Sequence, residues 1–80
     1  MSSTFSKELV GRSVVDLHGE KLGILKDLTF DMSSGTISDF LVEVEPNIDI
    51  SLLPWEGQGN IVNVPAEQVQ TIATKIHLAI

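Results

Sequence analysis

The side chains able to act as acids, bases or ligands concentrate at one turn. Asp16-Leu17-His18-Gly19-Glu20 brings two carboxylates and an imidazole close together, with Ser13 just upstream and Asp27 and Asp31 further along. A zinc centre in a small domain draws on Cys and His at fixed spacings. Here there is no cysteine, and His18 and His77 stand alone. Ser13, Asp16 and His18 are the residue types of a nucleophilic triad, but neighbours on one short strand do not converge on one reacting atom. No glycine-rich loop precedes a helix, so phosphate has no cradle. Asp31 with Ser33-Ser34 is the composition of a turn whose side chains bond their own backbone. The expectation is therefore no catalytic residue, no metal and no cofactor.

The elements that carry these residues are strands. Val14-Val15-Asp16-Leu17, Leu22 to Asp31 and Thr36 to Glu45 are apolar, alternating segments joined by His18-Gly19-Glu20 and Met32-Ser33-Ser34-Gly35, the pattern of an antiparallel meander. Ahead of it, Ser6 to Gly11 is too short for a helix and reads as one turn, with Gly11 at positive φ. In the second segment Leu22, Ile24, Leu28 and Phe30 share one parity, yet Lys26 interrupts it and Leu25 falls opposite. A bulge between Gly23 and Asp27 restores the pattern, and Gly23 leaves room for a sharp corner or a close backbone. Asp31 to Gly35 predicts a type I turn closed by a positive-φ residue. Phe40, Val42 and Val44 then alternate with Asp39, Leu41, Glu43 and Glu45, giving one buried and one wet face. Asn60 to Val64 predicts a further strand, Pro65 to Gln68 a turn, Val69 to Ile72 a short extended piece, and Lys75 to Ile80 a final strand with Ile76, Leu78 and Ile80 inward and His77 outward. The sum is an all-β domain of about six short antiparallel strands in a small barrel or rolled sheet, with no long helix. Residues 1–6 are expected to be a flexible tail and 7–80 a single domain.

Apolar residues are left over at the margins. Ile37 and Leu41 sit on the wet face of their strand, as a minor packing patch or a subunit contact. Pro46 stops that strand, and the following stretch of about 14 residues is long against the usual 4 to 6 for a connection. It carries Ile48, Ile50 and Leu52 in alternation, then Leu53-Pro54-Trp55. Two readings stand: an edge strand or flap closing one end of the core, or a contact surface, since exposed contiguous apolar residues meet partners and Trp anchors interfaces. The candidate interface residues are Ile37, Leu41, Ile48, Ile50, Leu52, Leu53 and Trp55.

Composition narrows the partners. An 80-residue chain buries only roughly 60 to 65% of its unfolded surface, and without cysteine, self-association is the leading route to added stability. Eleven acids against five bases give a net charge of -6. That disfavours nucleic acid as a direct partner, because phosphate contacts need clustered Lys and Arg. The uncharged stretches are far shorter than the roughly 20 residues that span a bilayer, and Met1 to Ser6 has neither the basic start nor the apolar core of an export signal. A soluble, cytoplasmic protein is expected.

The order of these signals resembles the PRC-barrel family. The resemblance rests on Leu9-Val10-Gly11-Arg12-Ser13-Val14-Val15-Asp16, Gly19-Glu20-Lys21-Leu22-Gly23, Asp27, Asp31, Ser34-Gly35-Thr36-Ile37 and Val64-Pro65-Ala66-Glu67-Gln68-Val69. It covers roughly residues 7–80. It implies a small β-barrel-like roll with no shared active site. Within the family, the acidic balance and Leu53-Pro54-Trp55-Glu56 look most like the stand-alone archaeal proteins of FtsZ-based division. That resemblance implies an adaptor that forms a homodimer or a hetero-assembly with a paralogous PRC-barrel, engages a SepF-like partner, and is recruited to the division site. The alternatives are a ribosome-maturation accessory similar to RimM, or a bacterial-type sporulation or stress protein.

Overall fold

A computed structural model describes residues 8–79 of the chain. The expected tail, residues 1–6, and the inward position assigned to Ile80 lie outside the described residues. One sheet of seven strands runs in the order β4-β5-β3-β2-β1-β7-β6. In chain order these are β1 (Ser13–Val15), β2 (Lys21–Phe30), β3 (Ile37–Val44), β4 (Gly57–Gln58), β5 (Ile61–Pro65), β6 (Val69–Ile72) and β7 (Ile76–Leu78). Two 3-10 turns, Ile50–Leu52 and Ala66–Gln68, complete the elements. The count exceeds the sequence expectation by the two-residue β4, which is too short to show an alternation. The pairing is antiparallel throughout, except that β1 and β7 run parallel.

The meander forms as its turns dictate. Strand β1 ends at Val15, earlier than Leu17, because Asp16 leaves the ladder: its carboxylate accepts the backbone N–H groups of His18 and Glu20, both at 2.9 Å. Gly19 closes the turn at φ 82°. Upstream, Glu8 and Leu9 lie in a helical turn, the Arg12 N–H reaches the Leu9 carbonyl at 3.1 Å, and Gly11 has φ 93° as expected.

Strand β2 bulges where the sequence placed the irregularity. Its register on β3 slips between Leu25 and Asp27, so Lys26 is the extra residue. The buried set is consequently Leu22, Leu25 and Leu28, while Phe30 is 45% exposed. Leu25 faces in with Gly23, opposite Val42 and Val44, and the bulge at Lys26 passes the inward face on to Leu28, opposite Phe40; a further slip between Thr29 and Phe30 lies at the end of the pairing with β3. A slip against β1, opposite Val14/Val15, buries Leu22 and Gly23 in succession. On β3 the alternation is regular, and Phe40, Val42 and Val44 meet Val62 and Val64 of β5, Ile76 and Leu78 of β7, Val14 and Leu9 in one core. No polar or charged residue is buried among the described residues.

The β2–β3 turn carries a testable charge. The Asp31 carboxylate accepts the Ser33 hydroxyl at 2.6 Å and the Ser33 N–H at 2.9 Å, with the Ser34 N–H at 3.4 Å. Those bonds favour the ionised form, the Ser33 hydroxyl most, and hold the Asp31 carboxyl below its ordinary value of 3.8. A lowered native pKa stabilises the fold above the unfolded value, and that contribution disappears as pH falls through the native one. Asp31→Asn is therefore expected to lower the melting temperature slightly at neutral pH. The gap should close as the pH drops below 3.8, which thermal melts of both proteins across that range would show; a gap independent of pH would contradict it.

Candidate interaction surface

Three of the carboxylates, Asp16, Asp31 and Asp49, hold their own turns. The Asp16–Glu20 group is a backbone-bonded turn, and His18 points to an exposed position. Asp49, like Asp31, binds its own turn: its carboxylate accepts the Ser51 hydroxyl at 2.7 Å and the Ser51 N–H at 3.0 Å, which holds its pKa below the ordinary value, the hydroxyl contributing most. His77 is half-buried on β7, opposite Thr71 on one side and Val15 on the other, rather than fully outward. Among the described residues no three His, Asp or Glu side chains assemble as metal ligands would. No described helix is long and apolar enough to cross a membrane.

The loop after Pro46 is a flap. Its alternating Ile48, Ile50 and Leu52 do not form a strand, because Asp49 caps a 3-10 turn in which the Leu52 N–H reaches Asp49 and the Leu53 N–H reaches Ile50, at 3.1 and 2.9 Å. A 3-10 turn repeats every three residues. Ile50 and Leu53 therefore share a side and pack against the core with Ile48 and Trp55, while Leu52 between them stands 81% exposed. Alternation in the sequence pointed to the correct apolar residues but to the wrong period.

The structure divides the seven candidate residues into three groups. Ile48, Ile50, Leu53 and Trp55 form the underside of the flap, and Leu52 is its exposed tip. Leu41 lies on the outer face of β3, beside Asn63 of β5 and Asp27 of β2, in a shallow hollow of about 480 Å3 bordered by Glu56, Gly57, Gln58 and Ile61. Asp39 and Glu43 flank it along the strand, and the Glu43 carboxylate accepts the Asn60 amide at 3.1 Å. Ile37 is at the far end of β3, half-buried, in a separate cleft of about 370 Å3 that it shares with Phe40, Ala66, Val69, Gln70 and Ile72. Leu41 and Ile37 thus face different surroundings. Sequence reasoning missed Phe30 and Ile72, both exposed, because it set Phe30 on the parity of Leu22 and Leu28 and read Val69 to Ile72 only as a short extended piece. The absence of charge between Gln68 and Thr74 was the available signal.

Packing separates the effects of two flap substitutions. Trp55→Ala removes a half-buried ring from the core margin and is expected to cost about 2 kcal/mol. Leu52→Ser touches nothing buried and should stay within about 0.5 kcal/mol of the parent. Urea unfolding of the two variants would check this, and equal costs would show that Leu52 is packed.

None of the curated proteins compared with this chain matches it. A family model described as the PRC-barrel domain matches residues 1–79, in keeping with the rolled all-β sheet and its turns, and the chain belongs to that family.

Proposed function

We propose that this protein is a non-enzymatic adaptor that joins other proteins, acting in FtsZ-based division together with a SepF-like partner. The PRC-barrel domain is known as a protein-interaction module, and the family is generally non-catalytic. The observation that carries the reading is the contrast between a dry core and the apolar side chains left outside it. Every residue of the core is hydrophobic, yet Leu52, Phe30 and Ile72 remain exposed on ordered elements. Phe30 lies across from Ile37, and Ile37 shares a cleft with Ile72; adjoining apolar groups of this kind suit a partner surface, whereas single ones are ordinary.

The charge pattern supports a protein partner over a nucleic acid. Lys21 and Lys26 lie on β2, Lys21 3.8 Å from Glu45, while Arg12 precedes β1 and Lys75 precedes β7. Asp27, Asp39, Glu43 and Glu56 surround Leu41 on the outer face, so a phosphate backbone would be repelled there. The division assignment itself rests on the resemblance of the acidic chain and its Leu53-Pro54-Trp55-Glu56 segment to stand-alone archaeal proteins. Affinity capture from native cells is expected to recover division proteins, and deletion of the gene to disturb ring placement. Normal division with normal rings would overturn the assignment, and recovery of pre-ribosomal particles would redirect it. Leu52→Ser reports on the flap tip: capture that weakens while the melting temperature holds would place the partner there.

A further inference from the structure

We propose that two copies of this chain associate through their β6 strands, paired antiparallel edge to edge, with Ile37, Val69 and Ile72 lining the apolar part of the contact. The proposal rests on the reading of the domain as an interaction module and says which surface a second copy uses.

Strand β6 ends the sheet. It pairs with β7 on one side and, among the described residues, has no strand on the other. A row of backbone N–H and C=O groups therefore faces outward, and proteins usually guard such a row with charge, proline or a bulge. Val69-Gln70-Thr71-Ile72 contains no charge and no proline. Its one irregularity is a slip against β7 between Val69 and Thr71, which leaves Thr71 opposite His77 and Ile72 opposite Ile76 in regular register. Ile72 is 41% exposed at this edge.

Beside the edge the sheet is parted. Strand β5 leaves β3 at Pro65, opposite Asp39, so Ile37 has β2 as its neighbour and, among the described residues, no strand on the other side. The cleft between this end of β3 and β6 contains no ionisable residue. Phe30, directly across from Ile37 on β2, extends the apolar surface.

Charge selects the occupant and its direction. From Ala66 to Ala79 the formal charges are Glu67, just before β6, and Lys75, just after it. Antiparallel pairing about a two-fold axis near Thr71 brings the hairpin end that carries Lys75, with the Arg12 guanidinium on the Ala73 carbonyl, toward the Glu67 of the other copy, whereas a parallel arrangement opposes like charges. A two-fold contact brings each patch against itself. On the outer face around Leu41, that would oppose carboxylates of a chain already at -6, which disfavours association. The β6 edge lacks that conflict.

The absence of native cysteine permits a direct test on the full chain. Thr71→Cys is expected to form a covalent dimer under mild oxidation, and Leu52→Cys, on the flap tip, is not. Light scattering over a dilution series should show a dimer for the parent, with Glu67→Lys weakening it at least about tenfold. The exchange of both charges, Glu67→Lys with Lys75→Glu, should restore it. Circular dichroism of each variant guards against loss of the fold. A parent that stays monomeric at every concentration overturns the proposal, as does a dimer indifferent to Glu67→Lys and not crosslinked through Thr71→Cys. If the monomer still captures other proteins from native cells, the module reading stands and the pairing with a second copy falls.

Discussion

Gly23→Ala is expected to prevent the domain from folding at ordinary temperature. A β-carbon built on Gly23 would lie 2.1 Å from the Glu43 carbonyl oxygen, 2.8 Å from its carbon and 2.9 Å from the Val44 Cα. All three are backbone atoms of β3, so no side chain can swing aside. Gly23 pairs with Val14 on one flank and Val44 on the other, so it stands between two ladders beside the slip at Val14/Val15. Relief of the overlap means pulling β2 from β3, the most extensive strand pair of the fold. The cost belongs with the exceptional substitutions above about 4 kcal/mol. A domain of 80 residues has roughly 4 to 12 kcal/mol in total, so the variant should show an unfolded amide spectrum by NMR. A dispersed spectrum with a melting temperature near the parent's would refute this account of the close approach.

The second large effect comes from Phe40→Ala, at a cost of about 3 to 5 kcal/mol. Phe40 is the largest of the fully buried side chains, pairs with Leu28 on β2 and Val64 on β5, and forms the floor of the cleft that Ile37 and Ile72 flank. Its loss leaves a void at the one place where the sheet is already parted, so the walls can partly collapse. The measured value should accordingly fall toward the lower end of that range, with a larger drop if Val42→Ala is added behind it. Guanidinium unfolding with an unchanged m-value would show a pure loss of stability; a reduced m-value would show that the native state itself has loosened.

These two expectations bear on function through the same geometry. The close backbone approach at Gly23 and the bulge at Lys26 shape the β2–β3 pair, and the departure of β5 at Pro65 leaves Ile37, among the described residues, without a strand on that side. The cleft and the free edge of β6 follow from that incomplete closure. The flap tip at Leu52 and the β6 edge are consequently separate surfaces, built by different elements, and one can hold a second copy while the other meets a different protein.

Much of the fold was legible in the residues because it is local. Asp31-Met32-Ser33-Ser34-Gly35 contains its own turn, with a carboxylate to hold the backbone and a glycine at φ 71°. The interruption at Lys26 announced a bulge, and Phe40, Val42 and Val44 marked the inward face of β3, since a strand writes its two faces at period two. The flap was harder: alternation in Ile48, Ile50 and Leu52 suggested a strand, and the Asp49 cap with Ser51 imposed a three-residue turn instead. The parallel union of β1 with β7 joins residues from the two ends of the chain, and no local pattern specifies a partner that distant. The same holds for the cleft that sets Ile37 beside Ile72. Periodicity determines which face of a strand is apolar, but its neighbour is chosen by the packing of the whole sheet, and here that packing leaves a gap between Ile37 and Ile72.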